Sequence, residues 1–385
     1  MINTAIIGTG NISAQHIEGY LVFPQRCRIT HLADIYPERA EKKNEHYKTG
    51  AKISASYKDI LNEPDIDLVS ICTPPFCHAE IAIDFLNAGK NVLVEKPMAS
   101  SLEECDAMIE AAARNNKTLS VVSQNRFRDP VYRLKQILDS HLAGKIVHAQ
   151  VESFWWRDHC YYDLWWRGTW EKEGGGCTLN HAVHHIDILC WMLGLPEKVS
   201  AVISNAAHDN AEVEDISVAV LQYNNDMCAR GALAQITSSV IHHGEEQQIV
   251  FQGEKARISW PWRVAANIGQ PNGFPAGGQN TELINQLNSK YENTAELACT
   301  LHKGQIDNVL SAIENGRRPM VTGEDGRNTL ELITSIYKAG AEQRSVDLPI
   351  KKNDPFYTVS GMKEKVPVFY KKTASVKDLD GNITF

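Results

Sequence analysis

A short apolar run, Thr4-Ala5-Ile6-Ile7, leads directly into Gly8-Thr9-Gly10-Asn11-Ile12-Ser13 and then into a helical pattern. A strand, a GxGxxS turn and a helix in immediate succession constrain this chain more than any other feature. Gly8 permits a tight turn, and Gly10 lets backbone approach a pyrophosphate at the helix N-terminus. Ser13 takes the place of a third glycine and is small enough for close strand–helix packing. A second apolar run, around Arg28 to Leu32, ends at Asp34, about twenty residues beyond the motif, where a carboxylate accepts ribose hydroxyls and repels a 2′-phosphate. The arrangement predicts a dinucleotide-binding fold with NAD as cofactor, Arg39 being the nearby residue that would favour NADP.

Further βα alternation predicts a parallel sheet. Asp67 to Cys72 ends in Thr73-Pro74-Pro75, with His78 opening the next helix. Asn91 to Val94 ends in Glu95-Lys96-Pro97, and Leu119 to Val122 ends in Gln124-Asn125-Arg126-Phe127. Ligands of open α/β sheets bind beyond the carboxyl ends of the strands. A lysine directly after a buried strand is partly desolvated, which lowers its pKa and suits it to proton transfer. Lys96 is read either so or as a surface lysine paired with Glu95.

At 385 residues the chain is long enough for two domains. The formal charge of −8 argues against nucleic acid or an anionic membrane as main partner. No apolar run approaches a membrane span, no signal peptide is evident, and nine scattered cysteines without a CxxC spacing fit a reducing, cytoplasmic setting.

After about Arg128 the alternation stops. The segment from Trp155 to Trp170 holds five of the eight tryptophans, with Arg157 and Arg167 among them. Aromatic faces beside charged edges suit sugar rings; packing or a subunit interface is the competing reading. Gly174-Gly175-Gly176 follows, where bare backbone can approach a ligand or a neighbouring strand. Leu179, Val183, Ile186 and Cys190 then form an apolar helical stripe. Along its flank Asn180, His184 and Asp187 form a polar row, with His181 and His185 turned away. His181, His184, His185 and Asp187 as metal ligands is an alternative that the wide arc of the helix disfavours. Sequential strand-like runs between Lys198 and Gln252 imply an antiparallel sheet. Residues 267–280 read as an exposed loop, and helices are expected over Lys303 to Asn315 and Gly326 to Ala339. The run Val366 to Tyr370 could add an edge strand or pack on a neighbouring subunit.

Taken in order, GxGxxS, Asp34, Thr73-Pro74 with His78, Glu95-Lys96-Pro97 and the stretch from Gly174 to Asp187 resemble the glucose–fructose oxidoreductase/inositol dehydrogenase (Gfo/Idh/MocA) family over roughly residues 1–350. The resemblance implies an N-terminal NAD-binding Rossmann domain (1–125), a substrate-binding and oligomerisation α+β domain with a large open, mostly antiparallel sheet (126–350), and a C-terminal extension (351–385). It implies oxidation of a secondary hydroxyl of a sugar, glycoside or cyclic polyol, with Lys96 and His184 as the proton-transfer pair. Asn180 stands where the family often has aspartate. Gly8, Gly10, Asn11, Ile12 and Asp34 are expected to bind the cofactor, as are Thr73, Pro74, His78, Glu95, Lys96 and Gln124. Arg126, Trp156, Arg157, Trp166, Arg167 and His302 are expected to hold the sugar with Lys96, Asn180 and His184; no metal is expected. A cis Lys96–Pro97 peptide follows from the same resemblance, and a homo-oligomer, dimer or tetramer, is expected because a broad antiparallel sheet with helices on one side leaves an apolar face that a monomer would expose. Glycoside cleavage through transient sugar oxidation, or a non-catalytic dinucleotide sensor, are the alternatives.

Overall fold

A computed structural model describes residues 1–376 and divides into two compact units: Met1–Asp129 with Leu297–Leu330, and Pro130–Glu296 with the chain from Glu331 onward.

The first unit is built on six parallel strands: β1 (Ile2–Ile7), β2 (Cys27–Ala33), β3 (Lys52–Ser54), β4 (Leu68–Ile71), β5 (Asn91–Val94) and β6 (Leu119–Val121). Their spatial order is β3-β2-β1-β4-β5-β6. The order reverses at β1 and β4, the switch point beyond which such sheets bind ligands. Every residue of β4 is buried, which is why its sequence is a continuous apolar run rather than an alternation. β3 escapes sequence reading because it is three residues long with none buried.

Helix Leu301–Asn315 returns to this unit from far along the chain. It packs on helix Ser13–Leu21, where a Cβ at Gly19 would overlap the Ile306 side chain. Ile306, Val309 and Leu310 thereby join Ile6, Ile17 and Tyr20 in one core. Arg26 ties the helix down through Asp307 at 2.5 Å and Glu314 at 2.8 Å.

The second unit carries β7 (Ile146–Phe154), β8 (Lys198–Ser204), β9 (Ile216–Gln222), β10 (Cys228–Ser239), β11 (Gln247–Gly253), β12 (Arg257–Trp260) and β13 (Arg263–Ala265). A short hairpin of β14 (Asn267–Gly269) and β15 (Pro275–Gln279) and a final strand β16 (Val346–Asp347) follow. The eight-stranded sheet runs β13-β12-β11-β7-β10-β9-β8-β16 and is open. Its pairs are antiparallel except β7 with β10. Along β9 Ser217, Ala219 and Leu221 are buried while Val218, Val220 and Gln222 are exposed, the period of a sheet with one covered face.

Two local expectations change, and one helix is not anticipated from the sequence. Residues 267–280 form an exposed hairpin rather than a plain loop. Helix Thr281–Asn293 has Leu287 as its buried residue, so no apolar stripe announces it. The run Val366 to Tyr370 adds no strand to the large sheet. Its backbone instead lies on its own chain, with Phe369 N–H donating to Glu212 O at 3.0 Å and Trp170 Nε1–H to Pro367 O at 2.9 Å.

Candidate dinucleotide and proton-transfer sites

In the first unit the glycine turn has the geometry a dinucleotide needs. Gly8 has φ +86°, and a Cβ there would stand 2.8 Å from the Cys72 carbonyl oxygen. A Cβ at Gly10 would meet no protein atom within 4 Å, so the backbone between β1 and the helix is bare on that side. Ser13 Oγ–H donates to Gly10 O at 2.6 Å and fixes the turn. Asp34, just beyond β2, accepts Thr9 N–H at 2.7 Å, Thr9 Oγ–H at 2.8 Å and Tyr36 N–H at 2.9 Å. The Arg39 guanidinium lies over the Tyr36 ring at 4.6 Å.

At the neighbouring strand ends, Thr73 Oγ1 and Gln124 Oε1 are shielded from water and have no hydrogen-bond partner among the described residues. Orphaned buried polar atoms call for an explanation, and polar groups of a bound dinucleotide supply one. The bare turn, the carboxylate after β2 and these two atoms fit NAD.

His78 is buried, and its ring bridges Thr73 O at 2.8 Å and Pro97 O at 2.9 Å. Burial pushes its pKa down. It ties the loop after β4 to the loop after β5 rather than turning outward. Lys96 is half-buried, and the Lys96–Pro97 peptide is cis. Glu95 is buried, with Oε1 at 3.0 Å from His16 Nε2 and Oε2 accepting the Lys96 N–H at 3.1 Å. His302 Nε2 stands 3.5 Å from the same Oε1. Arg126 is buried and paired with Asp325 at 3.1 Å.

The second unit holds the glycine triplet and the histidines. The apolar stripe predicts one continuous helix; the structure instead has a short helix Cys177–Asn180, a turn at His181 and Ala182, and helix Val183–Leu193. The buried carboxylate of Glu214 accepts Gly176 N–H and Thr178 N–H at 3.0 Å each, and Tyr337 Oη accepts Leu179 N–H at 3.2 Å. These bonds cap the short helix in its own direction. Cβ atoms at Gly175 and Gly176 would overlap Tyr337 Oη and Glu214 O respectively, so the bare backbone serves the approach of protein rather than ligand.

The helix Val183–Leu193 is buried at every position but His184 and Trp191. His184 is therefore at its edge, whereas Asp187, expected in the same polar row along the flank, is buried. His185 is not turned away from the core either: its Nδ1 lies 2.9 Å from Ser153 Oγ and its ring 5.8 Å from Trp260. Asn180 Nδ2 donates to Gly175 O at 2.9 Å and Gly176 O at 3.2 Å.

In the tryptophan-rich segment, Arg167 lies over the rings of Tyr161 at 4.2 Å and Trp166 at 4.3 Å and pairs with buried Glu173 at 2.9 Å. Arg157 pairs with Glu245 at 2.6 Å. Trp156 is exposed and stacks on His243 with centroids 5.5 Å apart. Both arginines are thus paired with carboxylates and hold the aromatic walls.

Residues 2–123 match the model described as "Oxidoreductase family, NAD-binding Rossmann fold", and residues 131–259 match the C-terminal domain of the same family. The chain belongs to the Gfo/Idh/MocA family. It is an NAD-binding oxidoreductase with the two-domain α/β fold of that family. Over 353 residues, 89% of this chain and 97% of the relative, it is 24% identical to myo-inositol 2-dehydrogenase of Thermotoga maritima. It is 28% identical over 262 residues to an uncharacterized oxidoreductase of Streptococcus pneumoniae, covering 67% of this chain and 68% of the relative. The WlbA dehydrogenase from Bordetella pertussis, solved in complex with NADH and UDP-GlcNAcA, matches with TM-score 0.77 and 28% identity over 91% of this chain and 98% of that one.

Several structural partners in this Gfo/Idh/MocA protein escape sequence reading. His16 lies on the buried face of its helix with Ile17 and Tyr20, and a histidine on an apolar face was the available signal. Glu214 sits in Glu212-Val213-Glu214-Asp215, where Asp215 is buried as well and nothing distinguishes the acid that accepts from the short helix. Among the described residues, one set of three has metal-ligating atoms all within 4.8 Å of one another, namely His16, Glu95 and His302. No helix among them is long and apolar enough to cross a membrane.

Proposed function

We propose that this family member oxidises a secondary hydroxyl of a sugar, glycoside or cyclic polyol to the ketone, using NAD. The observation that carries the reading is Lys96 directly after β5, two strands along the sheet from the NAD-fitting turn that follows β1, in a family whose relatives include an inositol dehydrogenase. The bound dinucleotide supplies a hydride acceptor. A base must then take the hydroxyl proton, because a protonated carbonyl is too high in energy to form unaided. Lys96 and His184 are proposed as the proton-transfer pair, with Asn180 orienting the hydroxyl without transferring a proton. Trp156, Arg157, Trp166 and Arg167 are proposed to present aromatic faces and fixed polar edges to the sugar ring.

The test is a panel of polyols, free sugars and glycosides with NAD, following reduced cofactor at about 340 nm, an absorbance that belongs to the cofactor. Reduction with at least one cyclic polyol or sugar supports the reading. Substrate turnover without net NADH, with cofactor retained in the denatured protein, would replace it by transient oxidation.

We also propose a homo-oligomer that buries the uncovered face of the eight-stranded sheet. Val202 and Val218, cross-strand neighbours, are 71% and 45% exposed; Val220, next on the same face of β9, is 44% exposed and lies diagonal to Leu233 of β10, 45% exposed. A contiguous apolar patch on a sheet marks an interaction surface.

A further inference from the structure

We propose that Glu95 is a positioning residue for Lys96, held in one orientation by His16, so that the glycine-turn helix and the lysine are set as one body. The inference rests on Lys96 being the proton-transfer residue.

Glu95 follows β5, where its carboxyl group could have turned outward to a ligand. It turns inward. Oε1 is held by His16 at 3.0 Å, with His302 at 3.5 Å, and Oε2 accepts the N–H of Lys96 itself at 3.1 Å. With both oxygens engaged by protein, Glu95 acts on its neighbour rather than on the cofactor.

The proton arrangement around it has a single direction. Burial pushes the His16 pKa down despite the adjacent carboxylate. Burial alone would raise the Glu95 pKa, but its imidazole partners outweigh that and hold it well below the ordinary carboxylate range. A carboxylate only accepts, so neutral His16 carries its proton on Nε2. Its Nδ1, 3.2 Å from Ser70 Oγ, then accepts from that hydroxyl, and Ser70 Oγ accepts from Tyr20 Oη–H at 2.6 Å. The chain Tyr20, Ser70, His16, Glu95 is buried throughout and leaves each of these groups satisfied. His16 and Tyr20 belong to the helix behind the glycine turn, and His302 opens helix Leu301–Asn315. The backbone of Lys96 is therefore fixed by the element that carries the cofactor turn.

The experiment uses the full chain with the best substrate from the panel, comparing Glu95→Gln, Lys96→Met, the double variant, His16→Gln and His16→Leu. NAD affinity, KM, kcat and melting temperature are measured for each. Expected for Glu95→Gln is a kcat loss of about ten- to a hundredfold, the latter being the cost of displacing a reacting group by about 1 Å. NAD affinity and KM should stay within about threefold, and in the Lys96→Met background the substitution should cost nothing further, since acting through one residue makes losses non-additive. His16→Gln keeps a donor and should stay near wild type, while His16→Leu should follow Glu95→Gln. Should Glu95→Gln fail to fold, the two His16 variants read the same quantity. Lost NAD affinity at unchanged kcat, or a loss that multiplies with that of Lys96→Met, overturns the proposal. Stoichiometric metal in the purified protein whose removal lowers the melting temperature overturns it as well. A fully active Lys96→Met sinks the lysine assignment and this proposal together, whereas an impaired Lys96→Met beside a silent Glu95→Gln sinks this proposal alone.

Discussion

The carbonyl oxygen of Glu214 lies where a Cβ on residue 176 would project, and the same residue's carboxylate accepts the Gly176 N–H at 3.0 Å. Glu214 thus shapes the turn into the short helix that carries Asn180. Gly176→Ala forces a methyl group against the Glu214 backbone carbonyl, so it should destabilise the fold by about 3 kcal/mol, the upper range of overpacking costs. Urea unfolding measures this, and a variant as stable as wild type would contradict so close an approach of the two segments.

Burial raises the Glu214 pKa to about 7 despite its N–H donors. A folded-state pKa above the unfolded one means that the folded chain holds the proton over the window between them. Stability should therefore fall as pH rises from about 5 to about 7, by at most about 1.4 kcal/mol per pH unit from this group. Glu214→Gln should remove that component from a melting-temperature profile, whatever it does to absolute stability. An unchanged slope would show that Glu214 does not titrate in this window.

Asp34 places a carboxylate at the end of β2, held by Thr9 and Tyr36. A 2′-phosphate beside it meets like charge. NAD should exceed NADP by at least about tenfold in kcat/KM, and Asp34→Ser should narrow the ratio. Equal use of both cofactors would single out Arg39, stacked on Tyr36, as the residue to change next.

Lys96→Met should lower kcat by about 10² to 10⁴ while leaving NAD affinity within a few-fold. Asn180→Ala should cost less, because an amide orients without transferring a proton. His184 and His185 should separate cleanly. His184→Ala should act on kcat, whereas His185→Ala removes a buried ring and its Ser153 partner and should act on stability. Steady-state kinetics beside thermal melts distinguish them, and equal kcat losses for the two would undo the His184 assignment.

Light scattering should show a dimer or tetramer, and charges introduced at Val202 and Val218 should shift it toward monomer. A stable monomer for the unaltered chain removes the sheet-face proposal.

The first sheet was legible because its information is local. Apolar runs buried on both faces stand out, the glycine turn needs conformations few residues adopt, and Asp34 falls at a fixed distance from it. Sequence order alone therefore determined the strand ends at Thr73, Glu95 and Gln124 and the NAD-binding character. The succession of strand-like runs without helices between them likewise announced an antiparallel sheet, but not which face is covered, since β9 buries Ser217 and exposes Val218 and Val220.

Tertiary structure decided which partner each polar residue took. The stripe from Leu179 to Cys190 predicts a straight helix, yet capping by Glu214 and Tyr337 breaks it, and burial then draws in His185 and Asp187 and leaves His184 at the edge. His302, read as a sugar ligand, comes to lie beside Glu95 because helix Leu301–Asn315 packs on the glycine-turn helix through Gly19 and Ile306. Periodicity describes one segment at a time. Whether a histidine or glutamate faces water or a buried partner depends on contacts between segments far apart in the chain, and no local pattern carries that information.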